Sequence, residues 1–172
     1  MILTGNQILK EMKRNNVFIE PFDINFIEPN SYKFHLGTEI IEYEQSPFLD
    51  IKTELKYRKL IIPEEGFLLE KGKFYLGATY ERMGSPLYAQ TLHANFSTSS
   101  MGMWIQFSAP LGHVGAVINW TLEITVTENL IVYPKMPIGK IAFWKNMGKI
   151  KLYKGRYLNS NKVIASRINK DF

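Results

Sequence analysis

Cysteine does not occur in the 172 residues. That excludes disulfides, thiolate zinc sites and thiol nucleophiles together. A long apolar run is missing as well. The opening MILTGNQILKEMKRNN has no extended apolar h-region, and no later stretch approaches the roughly 20 residues of a membrane-spanning helix. Both absences are compatible with a cytoplasmic protein that has no membrane partner. Basic blocks are also lacking: 21 Lys and Arg against 16 Asp and Glu give a net charge of +5, but they are scattered. Nucleic acid is therefore weakly supported, and a phosphorylated small molecule accounts for the charge equally well. With no internal repeat, low-complexity segment or linker, residues 1–172 read as a single domain.

What is present is mostly strand signal. Thr4 and Gln7 have capping-box spacing, and Ile8, Leu9 and Met12 then predict a short amphipathic helix ending near Asn15-Asn16. From Val17 onward short apolar or alternating runs (VFIE, YKFHLG, TEIIEY, LIIP, GFLLEK, FYLGATYERM, LIVY, KIAFW) are separated by proline and glycine turns. Residues 44–59 read as an irregular, charged excursion. Many short strands with one or two helices predict an all-β sandwich or barrel.

The densest stretch is 94–123, ANFSTSSMGMWIQFSAPLGHVGAVINWTLE. It reads as a Ser/Thr-rich turn, an alternating strand, a glycine-punctuated loop and a second strand. In the second strand Ala116, Ile118, Trp120, Leu122, Ile124 and Val126 are expected on one face, with Asn119, Thr121, Glu123 and Thr125 on the other. A carboxylate flanked by an amide and hydroxyls suits a small-molecule site. A solvated outer sheet face has the same pattern, and commonness favours it by about two to one. The histidines at 35, 93 and 113 lack metal-ligand spacing, so no metal site is expected.

Several segments, in order and with few gaps over nearly the whole chain, resemble the dCTP deaminase branch of the trimeric dUTPase-like superfamily. They are MILTGNQILKEM, PNSYKFHLG (with His35 where arginine is usual), FLLEKGKFYLGATYERM, MPIGKIAFW, and YKGRY with the ASRI ending. The resemblance implies a distorted β-barrel or jelly-roll subunit, a closing tail at 150–172, and a homotrimer or hexamer with nucleotide sites between subunits. It makes Glu123 the glutamate that shuttles a proton from water to the cytosine, without zinc or other cofactor. Ala109 supplies the main-chain carbonyl that helps hold the water. Tyr153 and Arg156 match the tail positions that contact phosphates, and Mg²⁺ enters only with a polyphosphate ligand.

The family's central motif, Gly-Arg-Ser-Ser-x-x-Arg-hydrophobic-Gly, reads Ala94-Asn95-Phe96-Ser97-Thr98-Ser99-Ser100-Met101-Gly102 in this chain. Asn95 and Ser100 replace arginines, Phe96 replaces the serine that positions the water, and Ser97 and Gly102 survive. Asn and Ser cannot reproduce an arginine's bidentate fork, and each charged hydrogen bond lost removes about 1.5–3 kcal/mol. In the next loop Asp-Pro-Gly becomes His113-Val114-Gly115, and Ser160 stands in place of the tail glutamine. The erosion leads to the expectation of a binding protein that captures a pyrimidine or cyclic nucleotide without efficient turnover, such as a phage-type sponge for a nucleotide signal. Glu123 would read the cytosine edge, with Asn119 or main chain completing the pairing, and Asn95, Phe96, Ser97, Ser100 and His113 around the ligand. The alternative is an active, diverged deaminase of dCTP, dCMP or a modified cytosine nucleotide with Glu123 as proton shuttle. A dUTPase is less well supported, because no acidic cluster lies near the centre. A purely structural trimer is the plain alternative.

Overall fold

The computed structural model describes residues 1–106 and 108–172. Along the chain run α1 (Gly5–Lys13), β1 (Phe18–Glu20), β2 (Tyr32–His35), β3 (Glu39–Tyr43), β4 (Tyr57–Ile61), β5 (Phe67–Leu69), β6 (Phe74–Gly84) and β7 (Tyr88–Ala94). Then follow α2 (Phe96–Ser100), β8 (Met103–Trp104), β9 (Leu111–Gly112), β10 (Val117–Val126), β11 (Leu130–Val132) and β12 (Pro137–Lys145). One sheet has the order β4-β3-β6-β10-β8, with β1 also paired to β6. A second has the order β2-β12-β7-β9, and β11 and β5 form a ribbon. This is the mainly-β architecture expected from the strand signals.

Apolar side chains from both sheets meet in one core. Tyr75, Ile40, Met83 and Leu122 come from the first sheet, and Phe34, Leu92, Ile141 and Phe143 from the second. β6 is buried at Tyr75 through Thr79 without alternation, because both of its faces are covered. Its second face carries Leu76 and Ala78, which pack with Ile41 and with Val163 and Ala165 of the C-terminal tail. The tail is thus fastened to the sheet by its own small apolar cluster.

The excursion expected at 44–59 is shorter: Tyr57–Ile61 is an edge strand in register with β3, from Glu39 opposite Ile61 to Tyr43 opposite Tyr57. Its side chains are mostly exposed and charged, a common protection for an edge, so its pattern imitated a loop. Arg58 pairs there with Glu42 at 2.8 Å. In the central stretch, the Ser/Thr-rich turn is the short helix α2, and the first alternating strand shrinks to the two residues of β8.

Where β1, β6 and β10 converge, Gly84 is opposite both Phe18 and Val117. A Cβ at this position would lie 1.9 Å from the Ala116 carbonyl oxygen and 2.7 Å from Val117 Cα. Backbone atoms held in a ladder cannot step aside. Gly84→Ala is expected to cost about 3 kcal/mol, the upper end of ordinary overpacking, measured as a lower urea midpoint with an unchanged slope.

In α1 the capping box is half made: Thr4 Oγ1 accepts from the Gln7 N–H at 3.3 Å, while the Gln7 carboxamide donates to Glu11 Oε1 at 2.9 Å. Asn15 adopts a left-handed φ of 59° just beyond the helix, which ends it near the expected place. Glu11 is buried and accepts from Asn16 Nδ2 at 2.7 Å and Arg14 at 2.9 Å. The Asn16 hydrogen bond above all, helped by Arg14, holds its carboxyl below the usual value. A depressed folded-state pKa stabilises above the unfolded carboxyl's pKa, and that stability is lost as pH falls through the folded value. The stability gap between the unaltered chain and Glu11→Gln is therefore expected to be full at neutral pH and to close below about pH 4, as read from urea midpoints across pH.

Candidate active site

β10 carries the polar side chains the sequence marks, but a bulge between Asn119 and Thr121 changes which face they occupy. Before the bulge Ala116, Ile118 and Trp120 point into a cleft, and after it Thr121 and Glu123 do. The strict alternation expected for this strand is corrected accordingly. Between Asn119 opposite Arg82 and Thr121 opposite Ala78 the two strands advance by different numbers of residues, and strict alternation does not survive such an irregularity. Thr79 fixes the bulge, its Oγ1 accepting from the Trp120 N–H at 2.9 Å. The Trp120 indole donates to the Met83 carbonyl at 2.9 Å.

The cleft has a volume of about 530 Å³. Glu123 stands on its floor, half-buried, with Oε2 accepting from the Ser108 backbone N–H at 2.8 Å. Beside it the Gln106 carboxamide donates to the Ala109 carbonyl oxygen at 2.7 Å. Glu123 and Ala109, the two groups expected to handle the water, therefore line one cavity.

The tail forms the opposite wall. Tyr153 stacks on His113, with ring centroids 5.3 Å apart, and its N–H donates to the Val114 carbonyl at 2.8 Å. Tyr157, Ser160 and Ser166 also line the cleft. The Ser160 carbonyl accepts from the Asn119 N–H at 3.1 Å, and the Tyr43 hydroxyl accepts from the Ser166 N–H at 2.9 Å. Burial pushes the Tyr43 phenol above its usual pKa, so it stays protonated at neutral pH. Arg156 is clasped by the Asp171 carboxylate and the Arg167 carbonyl.

Three sets of expected residues lie elsewhere, and Arg156, held by Asp171 and Arg167, is one of them, since it does not line the cleft. Asn119 does not face the Glu123 cavity: its carboxamide donates to the Thr79 and Tyr80 carbonyls at 3.0 and 3.1 Å, which ties it to the bulge rather than to a base. Asn95, Phe96, Ser97 and Ser100 are at or in α2 and line no part of the cleft. Phe96 is 81% exposed, so it is not a core residue of this chain. Gln106, Tyr43, Trp120 and Thr121 are cleft residues not singled out as binding residues from the sequence. Thr121 shares Glu123's polar side of the strand and was legible there. Tyr43 and Gln106 arrive only through folding. Among the described residues no group of three or more His, Asp or Glu side chains assembles to hold a metal ion. No helix there is long and apolar enough to cross a membrane.

The chain that carries this cleft is similar to known proteins. Residues 2–146 match the family model described as dCTP deaminase-like. A protein of Clostridium beijerinckii named "dCTP deaminase, dUMP-forming" is 40% identical, over 100% of this chain and 99% of its own length. Proteins of the same name from Hathewaya histolytica and Leptospira biflexa are 38% and 39% identical, over 100% of this chain and 99% and 98% of theirs. The crystal structure of 2′-deoxycytidine 5′-triphosphate deaminase from Agrobacterium tumefaciens superposes with a TM-score of 0.64 at 16% identity. That match covers 83% of this chain and 47% of that one, so this chain spans about half its length. The chain belongs to the dCTP deaminase-like family. The expectation of a nucleotide sponge without turnover is corrected by these relatives: end-to-end identity near 40% to dUMP-forming deaminases supports an enzyme. The eroded motif at 94–102 lies at and beside α2, and Asn95, Phe96, Ser97 and Ser100 do not line the Glu123 cleft of their own chain.

Proposed function

We propose that the protein is a hydrolytic deaminase of deoxycytidine nucleotides, acting on dCTP and releasing dUMP. The observation that carries this reading is the pairing of Glu123 with the Ala109 carbonyl in one cleft. The full-length similarity to dUMP-forming dCTP deaminases supports it. The Ala109 carbonyl holds a water, and Glu123 takes its proton and passes it to cytosine N3 as hydroxide adds to C4. Glu123 then carries the hydroxyl proton to the 4-amino group, ammonia leaves, and the C4 carbonyl of uracil forms. One water is consumed and one ammonia released. Reaching dUMP takes a second water at the α–β phosphoanhydride, with release of diphosphate. Mg²⁺ enters as the triphosphate's counter-ion.

Tyr153 and Arg156 close the phosphate end from the tail. Asn95, Phe96, Ser97 and Ser100 reach a cleft only from a neighbouring copy, which favours a homotrimer with shared sites. The exposed apolar side chains Phe96, Met101 and Trp104 on and beside α2 fit such a contact. With no arginine at 95 or 100, polyphosphate is gripped weakly. Weaker polyphosphate binding raises KM, and the loss of the water-positioning serine at Phe96 falls on the chemical step. Purified protein incubated with dCTP and Mg²⁺, and separately with dCMP, is expected to release one ammonia per uracil nucleotide formed. Unchanged nucleotide and no ammonia in either case contradicts the reading.

A further inference from the structure

We propose that Gln106 is a positioning residue for the reaction, bracing the Ala109 carbonyl in the orientation that holds the attacking water; this rests on the deaminase reading above. The segment between β8 and β9 carries Gln106, Ser108, Ala109 and Pro110, none of them in a helix or strand. Among the described residues its tethers are three. The Pro110 carbonyl accepts from the Leu92 N–H at 3.1 Å, the Ser108 N–H donates to Glu123 Oε2 at 2.8 Å, and Gln106 Nε2 donates to the Ala109 oxygen at 2.7 Å. The first ties the loop to β7 outside the reacting groups. The other two fix Glu123 and the Ala109 carbonyl relative to each other.

A carbonyl oxygen has two lone pairs, so one hydrogen bond from Gln106 leaves the other for water. The Gln106 Oε1 is buried and accepts no hydrogen bond from a described residue. A polar atom buried without a partner is costly. Its carboxamide nevertheless holds this pose, with the donating end on Ala109. A side chain kept only for solubility or packing would be apolar here or turned outward. Without the brace the carbonyl of Ala109, an exposed residue, loses its only hydrogen bond from a described residue, while Ser108 stays tied to Glu123.

Gln106→Leu keeps the size and removes the donor. It is expected to lower kcat about 10- to 100-fold, the scale of a misplacement near 1 Å, with KM within about twofold and dCTP binding by calorimetry unchanged. Gln106→Glu supplies the second readout. Its ionised carboxylate cannot donate to Ala109, whereas the protonated form can. The ratio of its kcat to that of the unaltered enzyme is therefore expected to rise as pH falls from 8 toward about 5, as the introduced carboxyl begins to protonate. Taking the ratio removes the pH dependence that both proteins share, including any from Glu123, His113 and the tyrosines facing the same cleft where the new carboxyl leaves it unaltered. A kcat for Gln106→Leu within twofold of the unaltered enzyme, or a flat ratio across pH, overturns the inference and leaves the deaminase reading standing. If Gln106→Leu does not fold, the pH ratio decides. Failure of the unaltered protein to release ammonia from dCTP or dCMP overturns the deaminase reading itself, and this inference with it.

Discussion

Glu123→Gln is expected to lower kcat for ammonia release by about 10²–10⁴-fold, the usual worth of a positioned general acid–base group, with the fold intact. The carboxamide keeps the shape and still accepts the Ser108 N–H at its oxygen, so the loop geometry survives. What it cannot do is take a proton from water and return it to the ring and the leaving amine. Nucleotide binding should consequently persist while turnover stops. A thermal-shift titration with dCTP alongside the rate assay separates the two. Equal stabilisation of both proteins, with turnover only in the unaltered one, is the expected pair of results.

Deleting residues 150–172 is expected to act on binding and on stability together. One wall of the cleft goes with it, including Tyr153 against His113 and Ser166 against Tyr43. So does Arg156, the one basic residue of the tail matched to a phosphate contact. Losing a charge-assisted contact of about 1.5–3 kcal/mol corresponds to a KM raised by about 10- to 100-fold. The same deletion uncovers Ile41, Leu76 and Ala78, which are at most 6% exposed beneath Val163 and Ala165. A lower melting temperature should accompany the higher KM. Arg156→Ala alone should reproduce the KM effect without the thermal one, since its partners Asp171 and the Arg167 carbonyl lie at the surface.

The sequence made the fold class legible because strand-length apolar runs and proline or glycine turns recur along the chain. Part of the cleft was legible too: Glu123 falls on the polar side of its strand and lines the cleft, as does Ala109, which only the family resemblance had named. The rest failed for identifiable reasons. Alternation was extrapolated through Asn119 to Thr121, where the bulge breaks it, so Asn119 was assigned to a base it does not face. The charged edge strand Tyr57–Ile61 lacked an apolar side and resembled a loop. Gln106 and Tyr43 enter the cleft through strand pairing. Gln106 is just past Trp104, which is opposite Thr125, and Tyr43 is two residues from Ile41, which shares Leu76 of β6 with Glu123. The order of strands in the sheet, which sets this, is not written in any local pattern. The largest error came from weighing the substitutions at Asn95, Phe96 and Ser100 as if they flanked Glu123 in one chain. In the fold they lie at α2, apart from the cleft that holds Glu123 in the same chain.

The central claim is that this cleft replaces the 4-amino group of a cytosine nucleotide by an oxygen taken from water. Turnover of dCTP in water enriched in heavy oxygen, followed by mass spectrometry of the nucleotide and its released base, tests it directly. One heavy oxygen in the uracil ring, with ammonia released in equal amount and both lost in Glu123→Gln, is the predicted result. Recovery of unlabelled dCTP, or label in the phosphates with the cytosine intact, would contradict it.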